Sequence, residues 1–190
     1  MHKIFNLAFL LAIAFSIKAQ TNQLTIQSGE GEDAVVLDKL TINTTVFGNR
    51  ASHSWTMVLK NNSTGILEAN LNFPLPEKAT ITAYALDIDG HLRKAVPVEK
   101  HRATQVLEAI ENKNVDPGLL ERTEGNNFKT RVYPVPPGGT RTVQIAYEEE
   151  LMVSDGQQLL SLPFNYSSPI NDLQVEVRYK QCGVKPQLPL

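Results

Sequence analysis

His53 stands between Ser52 and Ser54, and Asp38 lies upstream. These are the residue types of a nucleophilic serine site, and such sites are assembled in space, not in sequence. No Gly-x-Ser-x-Gly elbow is present to expose a nucleophile. Adjacent polar residues in a loop leading into a strand account for the same tripeptide. Cys182 with His91 or His101 is a conceivable thiol site, but no spacing brings them together; an unpaired Cys in a tail is the simpler account. Asp87-Ile88-Asp89-Gly90 resembles the start of a calcium loop. It lacks the later acidic ligands and the closing glutamate, and an Asp-Gly hairpin turn explains the same residues. Glu148-Glu149-Glu150 reads as a solvated strand end without convergent ligands. Trp55, the only tryptophan, falls at an alternating inward position that suits a core better than a ligand platform. No Walker loop, paired-His zinc motif or dinucleotide fingerprint occurs. The residues therefore point to no cofactor, and they lower the odds of an enzyme.

The elements that position these residues are strands. Leu40, Ile42, Thr44 and Val46 alternate with polar neighbours. Trp55, Met57 and Leu59 alternate likewise, as do Leu67, Ala69, Leu71 and Phe73. The same holds for Val143, Ile145 and Tyr147, and for Leu173, Val175, Val177 and Tyr179. A two-residue period places one face on a core and the other in water. Antiparallel sheets covered on one side give this pattern. Asn61-Asn62-Ser63-Thr64-Gly65 reads as a hairpin loop between the Trp55 and Leu67 strands. Asp89-Gly90 is a second hairpin signal, and Pro134-Val135-Pro136-Pro137-Gly138-Gly139 stops one strand and reverses the chain. Many short strands with such turns favour a sandwich.

One segment departs from this pattern. From Val98 to Asn112 there is no Gly or Pro, and Ala103, Val106, Leu107 and Ile110 form an apolar helical stripe. Pro97 stands near its start, where a missing N–H costs least. The spacing predicts one amphipathic helix packed on the sandwich. The following stretch to Asn127 is a long loop containing Asp116-Pro117-Gly118 and Glu124-Gly125-Asn126. Loops of that kind are functional or tucked in.

The first residues read as an address. His2 and Lys3 are followed by a mostly apolar run from Ile4 to Ile17, and Ala19 suits a cleavage position. This is the layout of a secretory signal peptide over 1–19, too short for a spanning helix. No membrane span is expected after cleavage. The expected folded unit is 24–180, with 181–190 a linker or truncated tail leading toward further sequence. Apolar residues make up 42% of the 190, enough to build a core, and the formal net charge is −2. No basic excess exists to neutralise a phosphate backbone, which argues against nucleic acid as the main partner. One cysteine excludes an internal disulfide framework and a cysteine-rich zinc site. Asn-x-Ser/Thr acceptors occur at Asn43, Asn61, Asn62 and Asn165 and matter only where the source glycosylates them.

An ordered set of stretches adds a resemblance. Phe73-Pro74-Leu75-Pro76 is followed by Ala83-Tyr84-Ala85-Leu86-Asp87-Ile88-Asp89-Gly90, then the charged helical segment. Asp116-Pro117-Gly118-Leu119-Leu120-Glu121, Phe128-Lys129-Thr130-Arg131-Val132, the Pro134–Gly139 turn and Val143-Gln144-Ile145-Ala146-Tyr147 complete it. In that order they resemble the vault protein inter-alpha-trypsin (VIT) domain, over roughly Leu37 to Leu151. The resemblance implies an all-β antiparallel sandwich with one helix packed on it. It also implies a non-catalytic module, which in the family commonly precedes a von Willebrand factor A-type domain. That domain's Asp-x-Ser-x-Ser metal motif does not occur in this sequence, so metal-dependent adhesion is not carried over.

Within the matching stretches Asp116, Pro117, Leu119, Leu120, Glu121 and Arg131 are the candidate partner-contact or loop-anchoring residues. Leu119 and Leu120 would pin the long loop to the core, and Glu121 and Arg131 are candidates for an ion pair holding it. Pro74 and Pro76 fix a strand exit, and Gly138 and Gly139 suit positive φ in a turn. Three functional readings follow. The first is an exported interaction or scaffolding module, leading a secreted or cell-surface adhesion-type protein. The second is an exported hydrolase or enzyme-associated domain using His53 or His91. The third is an architectural unit that packs against a downstream A-type domain, recognisable by a sizeable exposed apolar patch.

Overall fold

The computed structural model describes residues 23–29, 31, 33–88, 90–94, 120–154, 157–162, 165–166 and 168–180. Twelve strands run in chain order: β1 (Thr25–Ser28), β2 (Val35–Phe47), β3 (Arg50–Asn61), β4 (Leu67–Pro74), β5 (Thr80–Ile88), β6 (His91–Lys94), β7 (Leu120–Arg122), β8 (Asn127–Val135), β9 (Thr140–Glu150), β10 (Met152–Ser154), β11 (Gln157–Leu159) and β12 (Asp172–Lys180). They form a six-stranded sheet, β12-β2-β3-β9-β5-β6, and a four-stranded sheet, β1-β4-β8-β7. The small hairpin β10-β11 stands beside them. The helical segment expected over Val98 to Asn112 lies outside the described residues.

Alternation dictates which face of each strand is buried. Leu40, Ile42, Trp55, Met57, Leu59, Val143, Ile145 and Tyr147 line the inner face of the large sheet. Leu67, Ala69, Leu71, Phe73, Phe128, Val132 and Val135 line the facing sheet. The two sets make one continuous core, as a sandwich requires. Tyr84 of β5 and Thr130 of β8 join their hydroxyls across it. Such a bond satisfies both polar groups inside the apolar layer.

Two expectations about connections are corrected, and the antiparallel pairing has one parallel exception. The Asn61–Gly65 loop is not a hairpin: β3 pairs with β2 and β9, whereas β4 pairs with β1 and β8. The loop carries the chain from one sheet to the other. Asn61 makes that crossing possible. Its side chain is fully buried; Nδ2 donates to the carbonyls of Gly65 (2.8 Å) and Val135 (2.9 Å), and Oδ1 accepts from the Ser63 amide (2.8 Å). Asn61 therefore serves the backbone and is not an available glycan acceptor. Sheet pairing is antiparallel except at β12, which runs parallel to β2 over nine residues. Second, Gly138 has the positive φ of the β8–β9 turn (62°), but Gly139 does not. Gly139 is needed for space instead: a Cβ there would lie 2.6 Å from Pro136 Cγ.

Candidate functional site

The inner face of the large sheet carries polar groups near the ends of β2, β3 and β9. Register places Thr44 opposite His53, and His53 opposite Tyr147. Glu149 follows Tyr147 by two residues, so it shares that face. His53 Nδ1 lies 3.0 Å from Thr44 Oγ1, and Nε2 lies 3.0 Å from Glu149 Oε1. The imidazole stacks on the Tyr147 ring at 4.4 Å. The imidazole thus has a polar partner at each ring nitrogen, the Thr44 hydroxyl at Nδ1 and the Glu149 carboxyl at Nε2. A Thr–His–Glu chain of hydrogen bonds results, built on three neighbouring strands.

The chain has the elements of a proton relay but no opening. Thr44 is 1% exposed and His53 is 2% exposed. A nucleophile must meet its substrate, and this hydroxyl is shut inside the sheet packing. Each polar group instead satisfies its neighbour, which is what burial demands. The expectation of a loop around His53 is thereby corrected: the residue lies within β3 and faces inward. Glu149 likewise is not part of a solvated strand end, because its parity turns it toward His53. Asp38 is elsewhere, accepting a hydrogen bond from Asn171 Nδ2 at 2.7 Å. His91 lies exposed on β6. Among the described residues no group of three His, Cys, Asp or Glu side chains is arranged to hold a metal.

Two phenols adjoin this row. Burial, with the Glu149 charge second, raises the Tyr147 hydroxyl far above the ordinary tyrosine value. The Trp55 indole N–H opposes that shift without forming an aligned hydrogen bond. Burial also pushes Tyr166 up to about 12. Both phenols hold their protons at pH values where an unfolded tyrosine has lost its own. That contribution is complete below about pH 10 and is lost as pH rises through the folded values. The urea midpoint is expected to fall as pH rises from about 10 to about 12, and Tyr166→Phe to flatten part of the slope. Equal slopes for the variant and the parent chain would contradict this assignment.

Apolar side chains are exposed around the same end. Phe47 closes β2 at 55% exposure, and the β10-β11 hairpin presents Met152, Val153 and Leu159. Leu151, Leu160 and Val177 pack with Val46 and Ala51 into a second, small core that roots the hairpin against β12. On β12 itself Leu173, Val175 and Tyr179 are each more than 40% exposed. Their alternation predicts core, and register does place them on the inner face, beside Leu40, Ile42 and Val46. The four-stranded sheet is narrower than the six-stranded one, and among the described residues no strand of it lies over this edge; only Val177 joins the small second core.

The model of the vault protein inter-alpha-trypsin domain matches residues 37–147. This chain belongs to the VIT domain family. Human inter-alpha-trypsin inhibitor heavy chain H4 is 28% identical over 92% of this chain, and mouse inter alpha-trypsin inhibitor, heavy chain 4 is 27% identical over 88%. The chain spans only 18% and 17% of the length of these relatives. Two structures of a Deinococcus radiodurans M1 zinc metallopeptidase E323A mutant are also similar. One is 12% identical with a TM-score of 0.37, covering 65% of this chain and 22% of that one. The other, bound to a Tyr-Ser-Ala substrate, is 14% identical with a TM-score of 0.41, covering 78% and 33%. Likeness at that level carries no argument about activity.

The loop residues singled out in this VIT domain are divided. Asp116, Pro117 and Leu119 lie outside the described residues. Leu120 is half-buried against the main core, on the edge strand β7. Glu121 is exposed and sits opposite Lys129, while Arg131 of β8 reaches Glu68 at 3.7 Å. Sequence reasoning missed Asn126, which has a φ of 58° and whose Nδ2 donates to the carbonyls of Pro76 and Ala79 (3.1 Å to the latter). Its place after Gly125 in a turn was the available signal, since Asn tolerates that conformation.

Proposed function

We propose that this VIT domain is a non-catalytic protein-interaction and scaffolding module of a secreted or cell-surface adhesion-type protein. Residues 1–19 act as its signal peptide and 24–180 as its folded unit. Its partner is a protein surface, either a separate chain or an A-type domain of the kind that commonly follows VIT domains. The observation that carries this reading is the exposure of apolar side chains on the β10-β11 hairpin, where Met152 stands opposite Leu159, with Val153 beside them and Phe47 exposed at the close of β2. Exposed large apolar side chains on one small hairpin are a mark of contact sites. Family membership and the likeness to inter-alpha-trypsin inhibitor heavy chains support it. The burial of Thr44 and His53 counts against the hydrolase alternative at His53, since that hydroxyl does not meet solvent. Among the described residues no helix is long and apolar enough to cross a membrane.

Joint replacement of Met152 and Leu159 by Asp tests this surface in the protein as its source exports it. Both side chains are more than half exposed, so the fold should tolerate the change. Association with the proteins that copurify is expected to weaken on the order of tenfold or more, with an unchanged far-ultraviolet spectrum. Undiminished association would overturn the assignment of this end as the contact surface.

A further inference from the structure

The strand β12 has β2 on one side and, among the described residues, no strand on the other. It runs nine residues in unbroken register and contains no Gly or Pro. Exposed edges are usually protected by bulges, prolines, inward charges or a covering element. Among the described residues the edge from Asp172 to Tyr179 has no bulge, proline or inward charge, and the small core beneath it reaches it at Val177; its inner row is Leu173, Val175, Val177 and Tyr179, and its charges lie on the outer row. Such a strand is a template for one more strand.

We propose that the added strand is β12 of a second copy, paired antiparallel about a two-fold axis through Val175. This deepens the interaction-module reading by naming a partner. The charge sequence selects both the partner and the register. To keep the two inner faces on one side, residues of equal parity must stand opposite each other. That condition also brings outward-pointing amides of one strand against outward-pointing carbonyls of the other. Centring the pair on Gln174 sets Asp172 against Glu176, and centring it on Glu176 sets Glu176 against itself. Like charges in such positions repel. Centring on Val175 sets Asp172 against Arg178, Gln174 against Glu176, Leu173 against Val177 and Val175 against itself. Opposite charges then meet on the outer row and apolar side chains on the inner row. Centring on Val177 also pairs Glu176 with Arg178, but it leaves Asp172 and Leu173 without an opposite residue on β12. The local ion pairs are compatible with the join: Lys39 Nζ holds Asp172 at 2.7 Å and Arg178 holds Glu176 at 2.8 Å, both within one copy. The two six-stranded sheets would run on as one.

Light scattering of the whole chain over a concentration series reads the association directly. The expected result is a reversible dimer, weakened on the order of tenfold or more by Val175→Lys. Val175 is 42% exposed, so that change spares the core. A second measurement is independent of stability effects. In a Cys182→Ser background, Val175→Cys is expected to cross-link two chains under mild oxidation faster than Glu176→Cys. A chain that stays monomeric at every concentration overturns the proposal. So does a dimer indifferent to Val175→Lys, or faster cross-linking through position 176. The readings fail separately: the Met152 and Leu159 substitutions leave β12 intact, and a dimer that they dissolve while Val175→Lys does not would place self-association at the hairpin instead.

Discussion

Replacing His53 with Leu is expected to lower the stability of the fold by about 1–3 kcal/mol. The substitution leaves the Thr44 hydroxyl and the Glu149 carboxylate facing an apolar side chain in a closed site. Unmade hydrogen bonds of that kind cost far more than the net value of the bond itself. The Glu149 side chain is 11% exposed, so water can relieve only part of the loss. His91→Ala, on an exposed strand, is expected to shift stability by less than about 0.5 kcal/mol. Urea unfolding of the two variants against the parent chain checks both numbers. A catalytic histidine behaves in the opposite way, because active-site groups are commonly held at a cost to stability. A His53→Leu chain as stable as the parent would therefore revive the hydrolase reading.

The second large effect belongs to Phe73. Its ring is 1% exposed and stacks on Phe128 at 5.8 Å, in the middle of the four-stranded sheet's inner face. Phe73→Ala is expected to cost about 3–5 kcal/mol, the sum of lost transfer energy and an unfilled cavity. That is a large part of the stability of an ordinary domain. Phe73→Leu keeps most of the volume and should cost markedly less. Thermal and urea midpoints of both variants give the comparison. Equal losses would mean that ring stacking, not filled volume, holds the two strands together.

The alternation of Leu40 to Val46, Trp55 to Leu59, Leu67 to Phe73 and Val143 to Tyr147 makes the core face of four strands legible in the sequence. A period of two reports which side chains share a face. It does not report which sheet a strand joins, and Asn61 shows why. The same polar, Gly-ended loop suits a hairpin, but a buried side-chain amide bonded to Gly65 and Val135 turns it into a crossing between sheets. Nor does the period report whether a face is covered. Leu173 to Tyr179 alternates as regularly as the core strands, yet it lies at an edge beyond the narrower sheet. The Glu148–Glu150 run hid Glu149 for a related reason: composition marks a run as solvated, whereas strand parity sends alternate members to opposite faces. The resemblance to the VIT family supplied the fold as a whole, and family membership confirms that part. It identified the loop around Leu120 as a place to look, but the polar row and the apolar end emerged only from register and burial.

In the proposed function the exposed apolar side chains of Phe47, Met152, Val153 and Leu159 meet a protein partner. Amide hydrogen exchange of the protein in its native medium, compared with the purified chain, tests it most directly. The account predicts slower exchange over residues 152–159 in the native medium, with the core strands β3 and β9 unchanged. Equal exchange over 152–159 in the two samples would show that this end stays in water, and would contradict the claim.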